Sequence, residues 1–130
     1  MEKIQVMVNG IPGKMASEVV RTLAMYPEEF ELVSATFTGP EVNTVETSVE
    51  GYRRPFDVIN PNIRNDFAAH LKEEYPHLIS IDFTLPSAVN DNADFYCRQG
   101  LPFVMGTTGG DRVALEERVK NSGVVAVIAP

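Results

Sequence analysis

The chain opens with an apolar, β-branched run from Lys3 to Asn9 that stops at Gly10, the pattern of a buried strand feeding a turn. After Gly13 the period changes: Met15, Val19, Val20, Leu23 and Ala24 fall on one helical face, and Tyr26-Pro27 ends the helix. Phe30 to Phe37 (F-E-L-V-S-A-T-F) predicts the next strand, closed by Thr38-Gly39-Pro40, which is strong turn chemistry. From Lys3 to Phe37 the chain has the length of one βαβ unit. Residues 41 to 62 are less regular, with polar alternation from Thr47 to Tyr52 and a predicted strand over Phe56 to Ile59. Ile63 to Tyr75 places Phe67, Ala68 and Leu71 on one helical face before Pro76, and Leu78 to Phe83 predicts a buried strand ending at Thr84. Pro86 opens a helix that runs to Gly100, a natural helix stop. Pro102 to Met105 reads as a strand, Gly106 to Gly110 as a loop, Asp111 as the N-cap of a helix to Ser122, and Val124 to Ile128 as a final strand.

Strand and helix alternate nearly throughout, which predicts an α/β fold of Rossmann type, a doubly wound, mainly parallel sheet with helices on both faces. At 130 residues and 44% apolar composition the chain is the size of one domain with one real core. Its formal charge of -7 argues against a nucleic-acid partner, because a phosphate backbone is met by clustered Lys and Arg and only Arg53-Arg54 are adjacent here. Helix N-termini and backbone amides can still hold an anionic cofactor locally, so the global charge does not exclude a dinucleotide. The lone cysteine, Cys97, cannot form an internal disulfide and reads as a buried apolar thiol. No run approaches the roughly 18 apolar residues of a membrane span, and the N-terminus opens into a strand-like stretch rather than a signal peptide, so a soluble protein is expected, with any transit peptide lying outside these 130 residues.

The chemistry-bearing motifs converge on one edge of the predicted sheet. Gly10-Ile11-Pro12-Gly13-Lys14-Met15 lies between a strand and a helix; Gly10 allows the sharp exit, and Gly13 lets the backbone approach a pyrophosphate seated on the helix N-terminus. This is not a clean G-x-G-x-x-G, because Pro12 and Ala16 hold the other glycine positions, and alone it fits an ordinary strand-to-helix turn equally well. At the end of the second strand, Thr36-Phe37-Thr38-Gly39 lacks the Asp or Glu that binds the ribose 2′-hydroxyl in NAD-preferring domains. With Lys14 in the nearby loop, NADPH is expected, and NADH remains possible. Asp82-Phe83-Thr84-Leu85-Pro86 and Gly106-Thr107-Thr108-Gly109 each follow a strand, so their backbone and hydroxyl groups would face the nicotinamide ribose and carboxamide, with Phe83 against the ring. His70 and His77 read as solvated, Glu116-Glu117-Arg118 as a solvated helix face, and no Cys/His metal spacing or nucleophile-base pair is recognisable.

Taken in order, V-N-G-I-P-G-K-M, D-F-T-L-P and V-M-G-T-T-G-G-D resemble the glycine loop, central loop and nicotinamide-side loop of dihydrodipicolinate reductase, also called 4-hydroxy-tetrahydrodipicolinate reductase. The wording of the last looks closest to the plant and cyanobacterial branch, and the resemblance spans essentially the whole chain. It implies an NAD(P)H-dependent oxidoreductase of diaminopimelate and lysine biosynthesis that reduces a cyclic precursor to tetrahydrodipicolinate. By that resemblance Gly10 to Met15 contact the pyrophosphate and adenosine side, and Lys14 and Thr38 lie near a 2′-phosphate. Gly106, Thr107, Thr108, Ala129 and Pro130 contact the nicotinamide half. Phe37 stands where family members that use NADH well carry an acidic residue. The family's substrate domain, with its H-H-x-x-K-x-D-x-P-S-G-T stretch, has no counterpart in residues 1 to 130, so no catalytic residue is assigned. The chain is expected to bind nicotinamide dinucleotide without completing the reduction, and to be monomeric or weakly associated where the intact enzyme is a homotetramer. Its compartment would be the cytosol in a bacterium or the chloroplast stroma in a plant. Two other readings stay open: a non-catalytic nucleotide- or coenzyme-A-binding Rossmann module, and the cofactor half of another dehydrogenase.

Overall fold

A computed structural model describes residues 2–129. Five parallel strands form the main sheet: β1 (Ile4–Asn9), β2 (Phe30–Leu32), β6 (Leu78–Asp82), β7 (Phe103–Met105) and β8 (Ala126–Ile128), in the order β2-β1-β6-β7-β8. A smaller sheet, β3-β5-β4, joins β3 (Ala35–Phe37) and β5 (Phe56–Ile59) in parallel and β5 to the two-residue β4 (Glu46–Thr47) in antiparallel fashion. Four helices of 11 residues connect the strands: α1 (Lys14–Ala24), α2 (Arg64–Glu74), α3 (Val89–Gln99) and α4 (Arg112–Ser122).

Strand alternation divides the core. Val6 and Val8 of β1 point to one face, where Ala16 and Val20 of α1 meet them together with Val49 and Phe56. Met7 points to the other, where Ala68 and Leu71 of α2, Val89, Ala93 and Tyr96 of α3, and Leu115 of α4 pack with Phe103 and Met105. Helices thus cover both faces. The chain winds outward from β1 in one direction and from β6 in the other, so a crevice opens at the carboxyl ends of these two neighbouring strands.

The helix ends follow the sequence signals. Gly100 and Gly123 adopt the left-handed conformation that ends α3 and α4, and the Asp111 carboxylate caps α4 by accepting from Ala114 N at 3.1 Å. The segment opened by Pro86 begins as a 3₁₀ turn, Pro86–Ala88, before becoming α-helical at Val89. Cys97 is buried and Met7 and Met105 are fully enclosed, while Met15 is exposed.

One expected element divides. The strand predicted over Phe30 to Phe37 breaks at Val33-Ser34: Phe30–Leu32 stays in the main sheet, whereas Ala35–Phe37 pairs with β5. Side chains take over the bonding between β1 and β3. Thr36 Oγ1 donates to Val8 O at 2.8 Å, and Phe37 N donates to Asn9 Oδ1 at 2.9 Å. The ladder is thereby replaced rather than lost, which satisfies the buried backbone groups of β1 while the second half of the strand turns to a new partner. Arg118 also departs from expectation, since it reaches across from α4 to Asp94 of α3 at 2.8 Å rather than facing only water.

Candidate functional site

The crevice is a cavity of about 570 Å³, walled by Gly10–Gly13, the turn Thr38–Val42, Pro61 and Arg64, the segments Phe83–Leu85 and Ser87–Ala88, and Asp91–Asn92. Its walls therefore come from the ends of β1, β3, β5 and β6 and from the starts of α2 and α3. Parallel strands deliver all of these to the same edge.

The glycine loop is shaped by its surroundings. Gly10 has φ +102°, and a Cβ there would stand 2.5 Å from Phe83 O, so only glycine lets β1 turn beneath the loop that follows β6. Gly13 is the N-cap of α1 and provides no side chain to satisfy the first-turn amides. Those amides, aligned with the positive end of the helix dipole, are an anion-binding arrangement. Across the cavity, Thr38 Oγ1 is buried and has no hydrogen-bond partner within the protein. Ser80 Oγ is likewise unpaired in the core, but Thr38 is a residue of the cavity wall, so rotation of its side chain would bring the hydroxyl to a bound group. The uncapped helix start and the orphaned hydroxyl together fit the phosphate and ribose of a nucleotide.

The sequence-predicted residues separate by depth. Gly10, Ile11, Pro12, Gly13, Thr38, Phe83 and Thr84 line the cavity. Lys14 and Met15 are exposed at the start of α1 and do not line it, and Phe37 lies in the core with its ring edge-on to Phe67 and Phe95 at 6.3 and 5.2 Å. Gly106, Thr107, Thr108 and Ala129 follow β7 and β8 farther along the same edge; Pro130 lies outside the described residues. The two threonine loops are tied together, since Thr107 Oγ1 donates to Thr84 O at 2.8 Å. The Phe83 ring lies over Gly106, where a Cβ would come within 2.3 Å of it. Phe83 thus bridges the cavity and the Gly106 loop.

Behind the wall lies a polar network that the sequence did not announce. Asp82 is fully buried at the end of β6. Its Oδ1 accepts from Thr84 N and Thr84 Oγ1 at 2.9 and 2.6 Å, and its Oδ2 accepts from Tyr96 Oη and Asn92 Nδ2 at 2.5 and 3.2 Å. Asn9 Nδ2 donates to the Tyr96 hydroxyl oxygen at 2.8 Å, and Arg64 Nη1 donates to Asn92 Oδ1 at 2.9 Å. Burial, with the adjacent Asp82 carboxylate, pushes the Tyr96 phenol well above its ordinary pKa, so it remains a hydrogen-bond donor. Burial pulls the Arg64 guanidinium down from its usual value, yet a guanidinium stays charged at any physiological pH. The only sequence sign of this network was polar residues interrupting apolar strands: Asn9 closing one, Ser80 and Asp82 sharing a face with Leu78 in another.

A doubly wound α/β domain with an uncapped glycine turn at its switch point belongs to the class of nucleotide-binding Rossmann-type domains. Residues 4–130 match the family model described as dihydrodipicolinate reductase, N-terminus. The chain is 41% identical to 4-hydroxy-tetrahydrodipicolinate reductase 2, chloroplastic, of Arabidopsis thaliana, over 98% of this chain and 35% of that protein. It is 34% identical to the 4-hydroxy-tetrahydrodipicolinate reductase of Desulfitobacterium hafniense, over 100% of this chain and 48% of that protein. Among solved structures, a dipicolinate-bound dihydrodipicolinate reductase from Paenisporosarcina sp. TG-14 shares the fold, with TM-score 0.67 and 21% identity over 99% of this chain and 48% of its own. The chain belongs to the dihydrodipicolinate reductase family, matching its N-terminal part. It spans about a third to a half of the length of these relatives.

Proposed function

We propose that residues 1–130 form the cofactor-binding part of a 4-hydroxy-tetrahydrodipicolinate reductase and hold NADPH, with NADH as a weaker alternative, in the crevice between β1 and β6. The observation that carries this reading is the pairing of an uncapped α1 N-terminus with the buried, unpartnered Thr38 hydroxyl across one cavity. The family match supplies the nicotinamide chemistry: when bound, the cofactor gives a hydride to the cyclic precursor, and the protein positions it.

In this reading the first amides of α1 receive the pyrophosphate, and Gly10 and Gly13 keep the backbone close enough for them to do so. Thr38 bonds the adenosine ribose. The last residue of β3 is Phe37 rather than an Asp or Glu that would bind a ribose 2′-hydroxyl, which supports NADPH. Phe83 and Thr84, fixed by Asp82 and by Thr107, hold the middle of the cofactor. Gly106, Thr107, Thr108, Ala129 and Pro130 face the nicotinamide half. Groups that bind the precursor and deliver its proton belong to sequence such as the relatives carry outside the matched part, so this chain alone binds cofactor without turnover. Self-association of the 130 residues is weak, and a homotetramer forms only in the longer protein. The compartment is the chloroplast stroma for a plant source and the cytosol for a bacterial one; the plant relatives are named as chloroplastic.

Calorimetric titration with NADPH, NADH and coenzyme A tests this directly. Saturable binding of NADPH, tighter than NADH, is the expected result. Coenzyme A binding without nicotinamide binding would replace the reading with that of a different nucleotide module.

A further inference from the structure

Arg64, the first residue of α2, lines the same cavity as Thr38 and is half-buried. Its guanidinium lies 4.3 Å from the centroid of the Phe95 ring, and Nη1 donates to Asn92 Oδ1. Phe95 is itself fixed in the core against Phe37, and Asn92 is fixed by Asp82 and Thr84, so the guanidinium is held in place from two sides. Four other arginines, Arg21, Arg98, Arg112 and Arg118, each reach a carboxylate within ion-pair distance. Among the described residues Arg53, Arg54 and Arg64 have no such partner; Arg53 and Arg54 are exposed, whereas Arg64 is half-buried on the cavity wall. A partly desolvated cation on a cavity wall, braced by Asn92 and the Phe95 ring, with Asp82 and Asp91 near it but neither in direct contact, keeps its hydrogen-bonding fork available for an anion that arrives with a ligand.

We propose that Arg64 selects NADPH over NADH by taking the 2′-phosphate from the α2 side of the crevice, a task usually given to a basic residue after the second strand. The inference rests on the cofactor reading above. With the pyrophosphate on α1, the adenosine ribose would reach toward Thr38 at the end of β3, and among the residues that line the cavity Arg64 is the one basic side chain that could meet its 2′-phosphate. Arg64 thereby supplies a charge that Lys14, outside the cavity, does not. Two carboxylates limit the preference. Glu41 folds back against Gly39, where a Cβ would stand 2.5 Å from its Oε1, and Asp91 lies on the wall beside Asn92. Both are exposed, so their repulsion is screened more than the attraction of the braced guanidinium.

The experiment is titration of the parent chain and of Arg64→Gln with NADPH and NADH, each protein first shown to be folded by its thermal transition. Arg64→Gln should weaken NADPH about 10- to 100-fold, the size of a lost hydrogen bond between charged groups, and leave NADH nearly unchanged. Equal weakening of both cofactors, or of neither, overturns the assignment while leaving the cofactor reading intact. Failure of the parent chain to bind either cofactor overturns both. Should Arg64→Gln fail to fold, Arg64→Lys, which keeps the charge but not the planar fork, carries the test. It should weaken NADPH several-fold and leave NADH unchanged, and an unchanged NADPH-to-NADH ratio overturns the proposal.

Discussion

At Asn9 one side chain serves three elements: its oxygen accepts from the backbone of β3, its nitrogen donates to Tyr96 of α3, and its own backbone belongs to β1. Tyr96 passes that constraint to Asp82. Replacing Tyr96 by Phe strands Asn9 Nδ2 and leaves Asp82 Oδ2, a buried carboxylate acceptor, short of one donor, and should cost about 1–3 kcal/mol of stability, readable in urea denaturation. The parent also carries an alkaline signature. Because the folded state holds the Tyr96 pKa well above 10.0, its contribution is full below that pH and is lost as the pH climbs from there through the folded value. Tyrosinate absorbance should therefore show Tyr96 ionising only as the fold is lost, and that phase should vanish in Tyr96→Phe; identical curves for the two proteins would contradict the assignment. In the sequence this network shows only as polar residues, Asn9 and Asp82, at the ends of apolar strands, with nothing to say that they meet. Gly10 and Gly13 announced a turn because their backbone role is local, whereas the partner that makes Asp82 affordable in a core sits a helix away, and Arg64 acquires its meaning only when α2 docks beside β3.

Among elements, the helices and most strands were readable from an apolar period, as in α1, or from marked ends, as in α4: Gly100, Gly123 and the Asp111 cap stand where expected. The break in the second strand was hidden. F-E-L-V-S-A-T-F has the apolar content of a single buried strand, and what divides it is the choice by Thr36 and Asn9 to bond through side chains, a long-range event. Helix α3 is tied to α4 by Asp94, which accepts from Arg98 at 2.9 Å and from Arg118 at 2.8 Å. The Arg118 hydrogen bond holds the Asp94 carboxyl below its ordinary 3.8, so this stabilisation is present above that pH and is lost as the pH falls through the lower folded value. All three side chains are substantially exposed, and solvent screening keeps the effect small. Asp94→Asn should lower Tm slightly at neutral pH and flatten the acid limb of Tm against pH, a limb that stays unchanged if the bridge contributes nothing.

For the molecule as a whole, the division of that strand matters most at the crevice. One wall, Gly10–Gly13 with Phe83–Ala88, rides on the five-stranded sheet; the other, Thr38–Val42 with Pro61 and Arg64, follows the strands of the three-stranded one. The hydrogen bonds between them include Gly10 N to Phe37 O at 3.1 Å, the side-chain bonds of Thr36 and Asn9, and Arg64 Nη1 to Asn92 Oδ1 at 2.9 Å, with no continuous ladder among the described residues. A ligand seated in the crevice is therefore a cross-link between two separately hydrogen-bonded bodies, and its binding energy opposes their parting. In amide hydrogen exchange, saturating NADPH should slow β3, β5 and the turn between Thr38 and Val42 more than it slows β7 and β8. Uniform protection across both sheets would mean that they already open as one. Stronger protection of the small sheet would mean that these three short strands, whose buried residues share the cores of the main sheet, owe their order in the bound protein to the nucleotide as much as to their own sequence.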